Sequence, residues 1–361
     1  MTDPAADPWQ DFDGHEQVIV AQHGGVRMVV AVHSTVLGPA LGGTRMATYA
    51  DCASPAAAAY ADALRLSRAM TYKNALAGLD HGGGKGVILA DPSAKPRELL
   101  HAYARLVEGL GGRYVTAGDV GMTVADMDLI GEQCRWTTGR SPEHGGVGDS
   151  GILTAFGVFE AMRASAAAVW GTPDLAGRRV GVVGAGKVGG RLIGDLVQAG
   201  AVVIAVDPSA PARAAVLAAS PSVRFVAGID ELLAEDLDVV SPNALGGFLT
   251  RDRAAAIRAA LVCGGANNQL AEPAVGDLLA QHGIVYAPDF MVNCGGVIQV
   301  AEELVGCDLD RARAQTARVF DTTARVLARA ASEGVTPVAA AEAEAEDRIR
   351  TALAAAGRQV L

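Results

Sequence analysis

The sequence is poor in the features that mark secreted, membrane and nucleic-acid-binding proteins. Its 361 residues include five cysteines, an odd number with no CxxC pair, which argues against a disulfide framework or a zinc site and favours reduced, mostly buried thiols. Acidic residues outnumber basic ones, and the formal net charge of -10 excludes a broad phosphate-binding surface. The cysteines are Cys52, Cys134, Cys263, Cys294 and Cys307.

Long apolar runs and a basic leader are missing as well. We find no apolar run that approaches the roughly 18 residues of a membrane span, and the first residues, MTDPAADPWQDFDG, are acidic where a secretory signal would be basic and then apolar. We therefore expect a cytoplasmic protein that binds neither membrane nor nucleic acid. Aromatic residues make up only 4% of the chain, and the 44 glycines predict tight packing of helices on sheets with many turns.

Two common kinds of catalytic centre have no signal in the sequence. The seven histidines form no HExxH motif and no close pair, so we expect no metal site, and no GxSxG segment indicates a serine nucleophile. His81, beside three glycines, is expected to have a structural role.

The length and the order of apolar segments predict two α/β domains. The first is expected over residues 1–148 and the second over residues 149–330. Residues 331–361 are expected to form a helical segment that packs back on the first domain. In the first domain the predicted strands are Gln17–Ala21, Val26–His33, Gly86–Ala90 and Arg113–Thr116, and the predicted helices are Pro55–Met70 and Pro96–Leu110.

The second domain has a different pattern. It follows a stretch rich in Gly, Ser and Asp, Arg140–Ser150, which predicts a loop or hinge. After a helical segment, Ile152–Val169, short apolar strands alternate with helices, as is typical of βαβ units in a parallel sheet. The predicted strands are Val180–Val183, Val202–Val206, Leu237–Val240, Leu261–Cys263 and Ile284–Tyr286.

A glycine-rich segment, RVGVVGAGKVGG, joins the first of these strands to a helical run. Gly184 permits a tight turn, Gly186 lets the backbone approach a pyrophosphate, and Gly189 allows close contact between helix and strand. The helix N-terminus favours the phosphate charge. The segment therefore predicts a dinucleotide site that also uses Lys187 and Val188, while glycines that serve only as turns are the alternative.

A carboxylate ends the next predicted strand. Asp207 lies about 20 residues beyond the glycines, where it can accept hydrogen bonds from an adenosine ribose. A 2′-phosphate would face its negative charge, and the nearest downstream arginine is Arg213. The position favours NAD over NADP, with a solvated strand end as the alternative.

Two lysines of the first domain lie near glycines. Lys73 occurs in TYKNALAGLDHGGGKGV, and Lys85 follows three glycines in the same segment. If they converge, one ammonium can pair with a substrate carboxylate, while repulsion and desolvation lower the pKa of the other toward a useful base. Because surface lysines are usually solvated, the spacing alone leaves both readings open.

Several long segments, taken in their order along the chain, resemble the glutamate/leucine/phenylalanine/valine dehydrogenase family along nearly the whole chain. They are GPALGGTRM, LRLSRAMTYKNALAGLDHGGGKGVI, RYVTAGDVGMTVADMD, ANNQL and YAPDFMVNCGGVIQV. Within this family the sequence is most similar to the bacterial valine dehydrogenases, with RWTTGRSPEHGG and DSGILTAFGVFEAMRAS as further matches. The resemblance implies an N-terminal α/β substrate domain and a C-terminal Rossmann-type parallel-sheet NAD domain, separated by a cleft.

The resemblance also implies a reaction, the NAD-dependent oxidative deamination of a small aliphatic L-amino acid, with L-valine favoured, and its reversal. Lys73 matches the lysine that binds the substrate carboxylate, Lys85 the catalytic lysine, and Asp119 the aspartate that shuttles protons. After hydride transfer to nicotinamide, neutral Lys85 would activate water to attack the iminium, and Asp119 would move protons as the carbinolamine collapses. A neutral amine requires that burial and Lys73 lower the pKa of Lys85.

Further site residues follow from the same resemblance. Leu41, Ala117 and Val297 are expected to line the side-chain pocket, and their apolar character disfavours glutamate. The remaining expected contacts to substrate or cofactor are Gly42, Gly43, Thr154, Asn243, Asn268 and Asn293. Glycine turns without a ligand, a helix cap at Asn268 and a structural acid at Asp119 are the alternatives.

Four positions that flank the expected site depart from the family pattern, which bears on side-chain preference and turnover. They are Gly118, Met122, Asn243 and Cys294. A leucine or phenylalanine dehydrogenase on the same scaffold, or an inactive NAD-binding regulatory protein, are the other functions considered. The expected partners are an amino acid, its 2-oxo acid and ammonia, and the resemblance implies a homo-oligomer.

Overall fold

The computed structural model describes Phe12, Gly357 and residues 14–244 and 246–355. Most of the acidic stretch at the start of the chain lies outside these residues. The chain divides into two compact units. Unit 1 is Met1–Asp149, Val300–Leu309 and Glu346–Leu361, and unit 2 is Ser150–Gln299 and Asp310–Ala345. The C-terminal segment that we expected over residues 331–361 is thus divided between the units.

Unit 1 has a mixed five-stranded sheet in the order β1-β2-β4-β3-β5. The β1-β2 and β2-β4 pairs are antiparallel, and β3 is parallel to both β4 and β5. Helix α1 packs on one face, and α2 and α3 cover the other. The elements are β1 (Gln17–His23), β2 (Val26–Ser34), β3 (Ala40–Ala47), α1 (Pro55–Leu76), β4 (Gly82–Leu89), α2 (Arg97–Glu108), β5 (Tyr114–Gly118) and α3 (Val124–Gly131).

Glycines decide the form of this sheet. Gly24 and Gly25 both have positive φ, as the turn between β1 and β2 requires. The triple glycine before Lys85 forms the first part of β4. Glycine is needed at position 83, because a Cβ at Gly83 would lie 2.1 Å from Thr71 N of α1. A strand was correctly predicted here, but the predicted strand, Gly86–Ala90, begins after the observed start of β4 at Gly82.

Unit 2 has a six-stranded sheet in the order β11-β10-β9-β6-β7-β8, and every paired strand is parallel to its neighbour. This confirms the predicted parallel sheet. Its strands are β6 (Arg179–Val183), β7 (Val202–Val206), β8 (Arg224–Phe225), β9 (Val239–Pro242), β10 (Leu261–Val262) and β11 (Val285–Tyr286).

Helices connect these strands and continue to the end of the described chain. The early ones are α4 (Gly151–Trp170), α5 (Lys187–Gln198), α6 (Ala210–Ala219), α7 (Ile229–Ala234), α8 (Arg251–Ala256) and α9 (Ala274–Gln281). The later ones are α10 (Asp289–Val292), α11 (Gly295–Ala301), α12 (Leu309–Ala317), α13 (Val319–Glu333) and α14 (Pro337–Ala355).

Helix α4 corrects one expectation from the sequence. By length and composition it could cross a membrane, with a mean hydropathy of 1.4 over an 18-residue window, although we expected no such run. However, 56% of that window is buried inside the protein, where α4 packs against α5 and α13. Glu160 and Arg163 also form an ion pair within it at 3.1 Å. These contacts are those of a core helix, which meets the same test of length and apolarity.

Candidate active site

In unit 1, the order of three parallel strands brings Lys85 and Asp119 together. Lys85 lies in β4, Asp119 directly follows β5, and β3 runs between them. In β3, Thr44 is opposite Gly86 of β4 and Gly118 of β5. The lysine Nζ donates to Asp119 Oδ2 at 2.7 Å. Two residues 34 positions apart in the sequence thus form one ion pair.

Gly43 provides the space for this pair. A Cβ at Gly43 would lie 2.9 Å from Asp119 Cβ and 2.9 Å from Gly118 O, closer than real Cβ atoms come. The lysine therefore reaches the carboxylate across a residue without a side chain. Gly42 serves the sheet itself, since its Cβ would lie 1.8 Å from Gly84 O.

The surroundings keep this carboxylate charged. Lys85 is only 5% exposed, and the side chain of Asp119 is 17% exposed. Burial alone would raise the pKa of Asp119, but Lys85 and Arg45 beside it hold the pKa of that carboxyl well below its usual range. Arg45 Nε donates to the same Oδ2 at 3.0 Å. One carboxylate oxygen thus accepts hydrogen bonds from two cations.

Arg45 also binds a second carboxylate. Its Nη1 donates to Asp62 Oδ2 at 2.7 Å, and Tyr49 OH donates to the same oxygen at 2.7 Å. Arg65 Nη2 donates to Asp62 Oδ1 at 2.6 Å. Burial opposes the charge on Asp62, yet its three donors lower the pKa of the carboxyl. Arg45 and Asp62 were not predicted as site residues: the arginine lies in the GGTRM segment, but no local pattern shows that α1 supplies its partner.

The other predicted substrate residues of unit 1 lie around the same strands. Lys73 is half-buried in the last turn of α1. The next residue, Asn74, ties that turn to the sheet, since its Nδ2 donates to Leu41 O at 3.1 Å and to Gly82 O at 2.6 Å. The side chain of Leu41 is fully buried in β3, and Ala117 in β5 is 7% exposed.

Two departures from the family pattern lie next to Asp119. Gly118 is exposed, and a Cβ there would have its nearest contact at 3.6 Å, so a side chain has room. Met122 N donates to Asp119 O at 2.9 Å and closes the turn that follows β5. His81 Nδ1 donates to Pro39 O at 3.1 Å, and burial lowers the pKa of this histidine.

In unit 2, the glycine-rich segment lies between β6 and α5. Gly184 has a φ of 94°, a conformation that favours glycine. Gly186 is the N-cap of α5, and a Cβ there would meet open space. A Cβ at Gly189 would lie 1.9 Å from Gly184 O, so this glycine lets α5 approach the end of β6. Lys187 is exposed and Val188 half-buried in the first turn of the helix.

Asp207 is bound to this loop. It follows β7, and its Oδ2 accepts a hydrogen bond from Ala185 N at 2.6 Å. Its Oδ1 accepts from Ser209 N at 2.7 Å, and Arg213 Nη1 donates to its carbonyl at 2.7 Å. The carboxylate is therefore held by backbone amides and not by solvent alone.

The strand order of unit 2 reverses at β6, which lies between β7 and β9. Open α/β sheets bind ligands at the carboxyl ends of the strands at such a switch point. Asn243 follows β9, and its N donates to Val183 O at 2.7 Å. Its Oδ1 accepts from Gly265 N at 2.8 Å, and Asn293 Nδ2 donates to Gly265 O at 3.2 Å. Two predicted cofactor residues are thus joined through one glycine.

Several groups here fit a dinucleotide. Asn293 Oδ1 is buried and has no hydrogen-bond partner among the described residues. Its Nδ2 donates to Asn267 Oδ1 at 2.8 Å. Asn268 is exposed in a left-handed loop conformation, with φ 52°, so it does not cap a helix. Together with the open space at Gly186, these groups leave room and polar atoms for a bound ligand.

Gly295 and Gly296 begin α11. A Cβ at Gly295 would lie 1.9 Å from Leu153 O, and one at Gly296 would lie 2.5 Å from Thr154 Oγ1. The glycines thus let α11 pack on the first turn of α4. Thr154 Oγ1 donates to Ser150 O at 2.9 Å.

The residues on either side of these glycines differ in exposure. Cys294 is only 1% exposed, as a small packed residue would be, and Val297 is half-buried in α11.

All five cysteines are free thiols, and burial raises the pKa of the Cys263 thiol.

A parallel sheet with a glycine-rich loop at its switch point, in a chain that also buries a lysine–carboxylate pair, defines a dinucleotide-dependent dehydrogenase. Comparison with known proteins makes the assignment specific: the chain belongs to the glutamate/leucine/phenylalanine/valine dehydrogenase family. Residues 7–136 match the model described as the Glu/Leu/Phe/Val dehydrogenase dimerisation domain, and residues 208–360 match the Glutamate/Leucine/Phenylalanine/Valine dehydrogenase model.

Individual relatives extend over nearly the full length. The valine dehydrogenase of Streptomyces coelicolor is 53% identical over 95% of this chain and 94% of its own. The leucine dehydrogenase of Bacillus subtilis is 41% identical over 93% and 91%. The crystal structure of L-tryptophan dehydrogenase from Nostoc punctiforme is similar with a TM-score of 0.82 and 35% identity, covering 95% of this chain and 98% of that one. The chain is thus an amino-acid dehydrogenase of an NAD(P)-dependent family.

Proposed function

We propose that the enzyme catalyses the reversible NAD-dependent oxidative deamination of small aliphatic L-amino acids, with L-valine as the best substrate. The products are the 2-oxo acid and ammonia. The observation that carries the proposal is the buried pair of Lys85 and Asp119 at 2.7 Å, in a chain 53% identical to a valine dehydrogenase.

Lys85 and Asp119 supply the acid–base chemistry in this proposal. Deprotonated Lys85 takes a proton from the water that attacks the iminium carbon of the oxidised substrate. Asp119, in hydrogen-bond contact with Lys85, passes protons as the carbinolamine loses ammonia. Lys73, half-buried in α1, holds the substrate carboxylate as a point charge. Gly42 and Gly43 present backbone to the substrate.

The glycine-rich loop of unit 2 is proposed to hold the pyrophosphate. Gly184, Gly186 and Gly189 keep side chains out of the loop, and the first amides of α5, at Lys187 and Val188, would face the phosphate charge. When bound, the nicotinamide group supplies the acceptor for the hydride that leaves the substrate Cα.

Asp207 supports NAD over NADP within this family. Its carboxylate is fixed at the end of β7 by Ala185 N and Ser209 N, where it can accept the ribose hydroxyls and repel a 2′-phosphate. The remaining proposed cofactor contacts come from α4 and from the loops after β9 and β10 and before α11. They are Thr154, Asn243, Asn268 and Asn293.

Apolar residues support an aliphatic side chain in the substrate. Leu41, Ala117 and Val297 are proposed to contact it, and none of them offers a cation to a second carboxylate. Because one methylene group changes binding by only about 1–3 kcal/mol in an apolar pocket, leucine, isoleucine and 2-aminobutyrate are expected to react more slowly than valine. Leucine is the second candidate for the preferred substrate, given the 41% identity to a leucine dehydrogenase.

A substrate panel tests the proposal. NADH formation is followed at alkaline pH with valine, leucine, isoleucine, 2-aminobutyrate, phenylalanine and glutamate, and kcat/KM is compared. We expect valine to rank first and glutamate last. First rank for phenylalanine or glutamate would contradict the substrate assignment, and NAD binding without turnover of any amino acid would favour a regulatory protein.

Assembly and location complete the proposal. The first part of the chain matches a dimerisation domain, so we propose a homo-oligomer, which light scattering of the purified protein would test. We also propose that the enzyme acts in the cytoplasm, where its amino-acid substrates and NAD are found.

A further inference from the structure

We propose that Arg45 is a positioning residue: held by Asp62, it fixes Asp119 beside Lys85 and gives that carboxylate a permanent cation when Lys85 loses its proton. This inference rests on the proposed function, since it assumes that Lys85 and Asp119 exchange protons with the substrate. Arg45 acts on the reaction only through Asp119.

The geometry requires a second cation. In the proposed reaction Lys85 must be neutral at one step, and Asp119 would then be a buried carboxylate without its ammonium partner, which is costly. Arg45 prevents this, because its Nε lies 3.0 Å from Asp119 Oδ2, the oxygen that also accepts from Lys85 Nζ at 2.7 Å. A guanidinium stays charged at every working pH.

Arg45 is itself held in place from its other end. Its side chain is 18% exposed, and its Nη1 contacts Asp62 Oδ2 at 2.7 Å. Asp62 is fixed in turn by Tyr49 and Arg65. The guanidinium is therefore a rigid bridge between α1 and the end of β5, and Asp119 cannot turn away from Lys85 without breaking it.

The bridge also places a second cation beside Lys85. The Lys85 amine and the Arg45 guanidinium both lie within 3.0 Å of one oxygen atom, so they are close neighbours of like charge. The ionisable groups around the pair come from β3, from the segment after it and from α1. They are Arg45, Tyr49, Asp62 and Arg65.

The test is the pH dependence of kcat/KM for valine with NAD, from neutral to strongly alkaline pH. In the profile of kcat/KM against pH, the rising limb is the range where activity increases with pH. In Arg45→Gln, loss of the neighbouring cation is expected to move this limb to higher pH by about one unit. The variant is also expected to lose about 10- to 100-fold in kcat, part of the roughly 10²–10⁴ that a positioned acid or base supplies. Arg45→Lys keeps the charge and is expected to keep the limb near its wild-type pH.

Two further variants make the test specific. Arg135→Gln is the control: it breaks an exposed ion pair of unit 1, between Arg135 and Glu108 at 2.8 Å, which involves neither Asp62 nor Asp119, and it should leave kcat and the limb unchanged. Asp62→Asn removes an anion and should move the limb downward, opposite to Arg45→Gln. If Arg45→Gln does not fold, as judged by circular dichroism, a limb in Asp62→Asn that is unmoved or displaced upward overturns the proposal.

Failure of this inference is distinguishable from failure of the proposed function. A folded Arg45→Gln enzyme with the wild-type pH profile overturns the role of Arg45 alone, provided that Lys85→Ala is inactive. An active Lys85→Ala enzyme overturns the acid–base assignment itself, whatever Arg45→Gln does.

Discussion

The polar sites of the two units are built in different ways. In unit 1, four charged side chains meet on one face of a sheet, where Asp119 is shared by Lys85 and Arg45, and Arg45 by Asp119 and Asp62. In unit 2, the loop ends of a parallel sheet present backbone amides and asparagine side chains. Buried charges suit a site where protons move, whereas neutral donors suit one that must bind and release an anionic ligand.

The largest effect should follow from removing the amine of unit 1. Lys85→Ala is expected to lower kcat/KM for valine by about 10³-fold, since a general base typically supplies about 10²–10⁴. NAD affinity, measured by fluorescence titration, should hardly change. The matched control is Lys95→Ala, which breaks another largely buried pair, with Asp126 at 2.5 Å, and should keep its activity. Equal losses in both variants would show that the effect is structural.

The next largest effect concerns stability and pH. Asp119→Asn is expected to lower the free energy of unfolding by about 3 kcal/mol at neutral pH, because Lys85 and Arg45 lose their shared carboxylate. The folded-state pKa of Asp119 lies below its unfolded value of about 3.9. The stabilisation is therefore complete above that value and is lost as the pH falls toward the folded pKa.

Urea unfolding at a series of pH values checks this prediction. The difference between wild type and variant should be largest near neutral pH and should shrink as the pH falls below about 4. A difference that does not depend on pH would mean that the charge of Asp119 is unimportant to the fold.

A smaller effect is expected at the carboxylate of unit 2. Asp207→Ala should reduce the preference for NAD over NADP about tenfold, equivalent to about 1.4 kcal/mol, because the repulsion of a 2′-phosphate is lost. Asp174→Ala is the matched control, since its Oδ1 likewise accepts a backbone amide, from Ala176 at 3.0 Å, in the same unit. The ratio of kcat/KM with the two cofactors is the readout, and an unchanged ratio in Asp207→Ala would contradict the assignment.

The smallest effect is a change in stability, and it is expected to have opposite signs at two glycines of α5. Gly194 lies inside α5, and a Cβ there would meet nothing within 4 Å, so Gly194→Ala should stabilise unit 2 by about 0.5–1 kcal/mol. Gly189→Ala should destabilise it, because its Cβ would lie 1.9 Å from Gly184 O. Thermal unfolding measures both, and a stabilised Gly189→Ala would refute the close contact of helix and strand.

The parallel sheet was the easier part to predict from sequence. Its strands are short apolar runs separated by helices, and predicted and observed limits agree for Val202–Val206 and differ by two residues for β9. The mixed sheet was harder, because β3 and the start of β4 are rich in glycine, which usually indicates turns. These strand positions need glycine, because neighbouring backbone and the Tyr114 ring occupy the space that a side chain would take.

The candidate site shows the same limit. Resemblance identified Lys85 and Asp119, and the structure brings them into contact. Neither spacing nor resemblance identified Arg45 and Asp62, whose contact depends on how α1 lies on the sheet. Tertiary contacts of this kind join a strand to a helix without any sequence period, so they were visible only in the fold.

The hydrogen bond from Ala185 N to Asp207 Oδ2 has a practical consequence for changing the cofactor. An exchange for alanine at position 207 would remove negative charge and also the acceptor that restrains the glycine-rich loop. If NAD is preferred as proposed, a change toward NADP should therefore begin with asparagine, which keeps a carbonyl oxygen for that amide, and a basic residue should be added only afterwards.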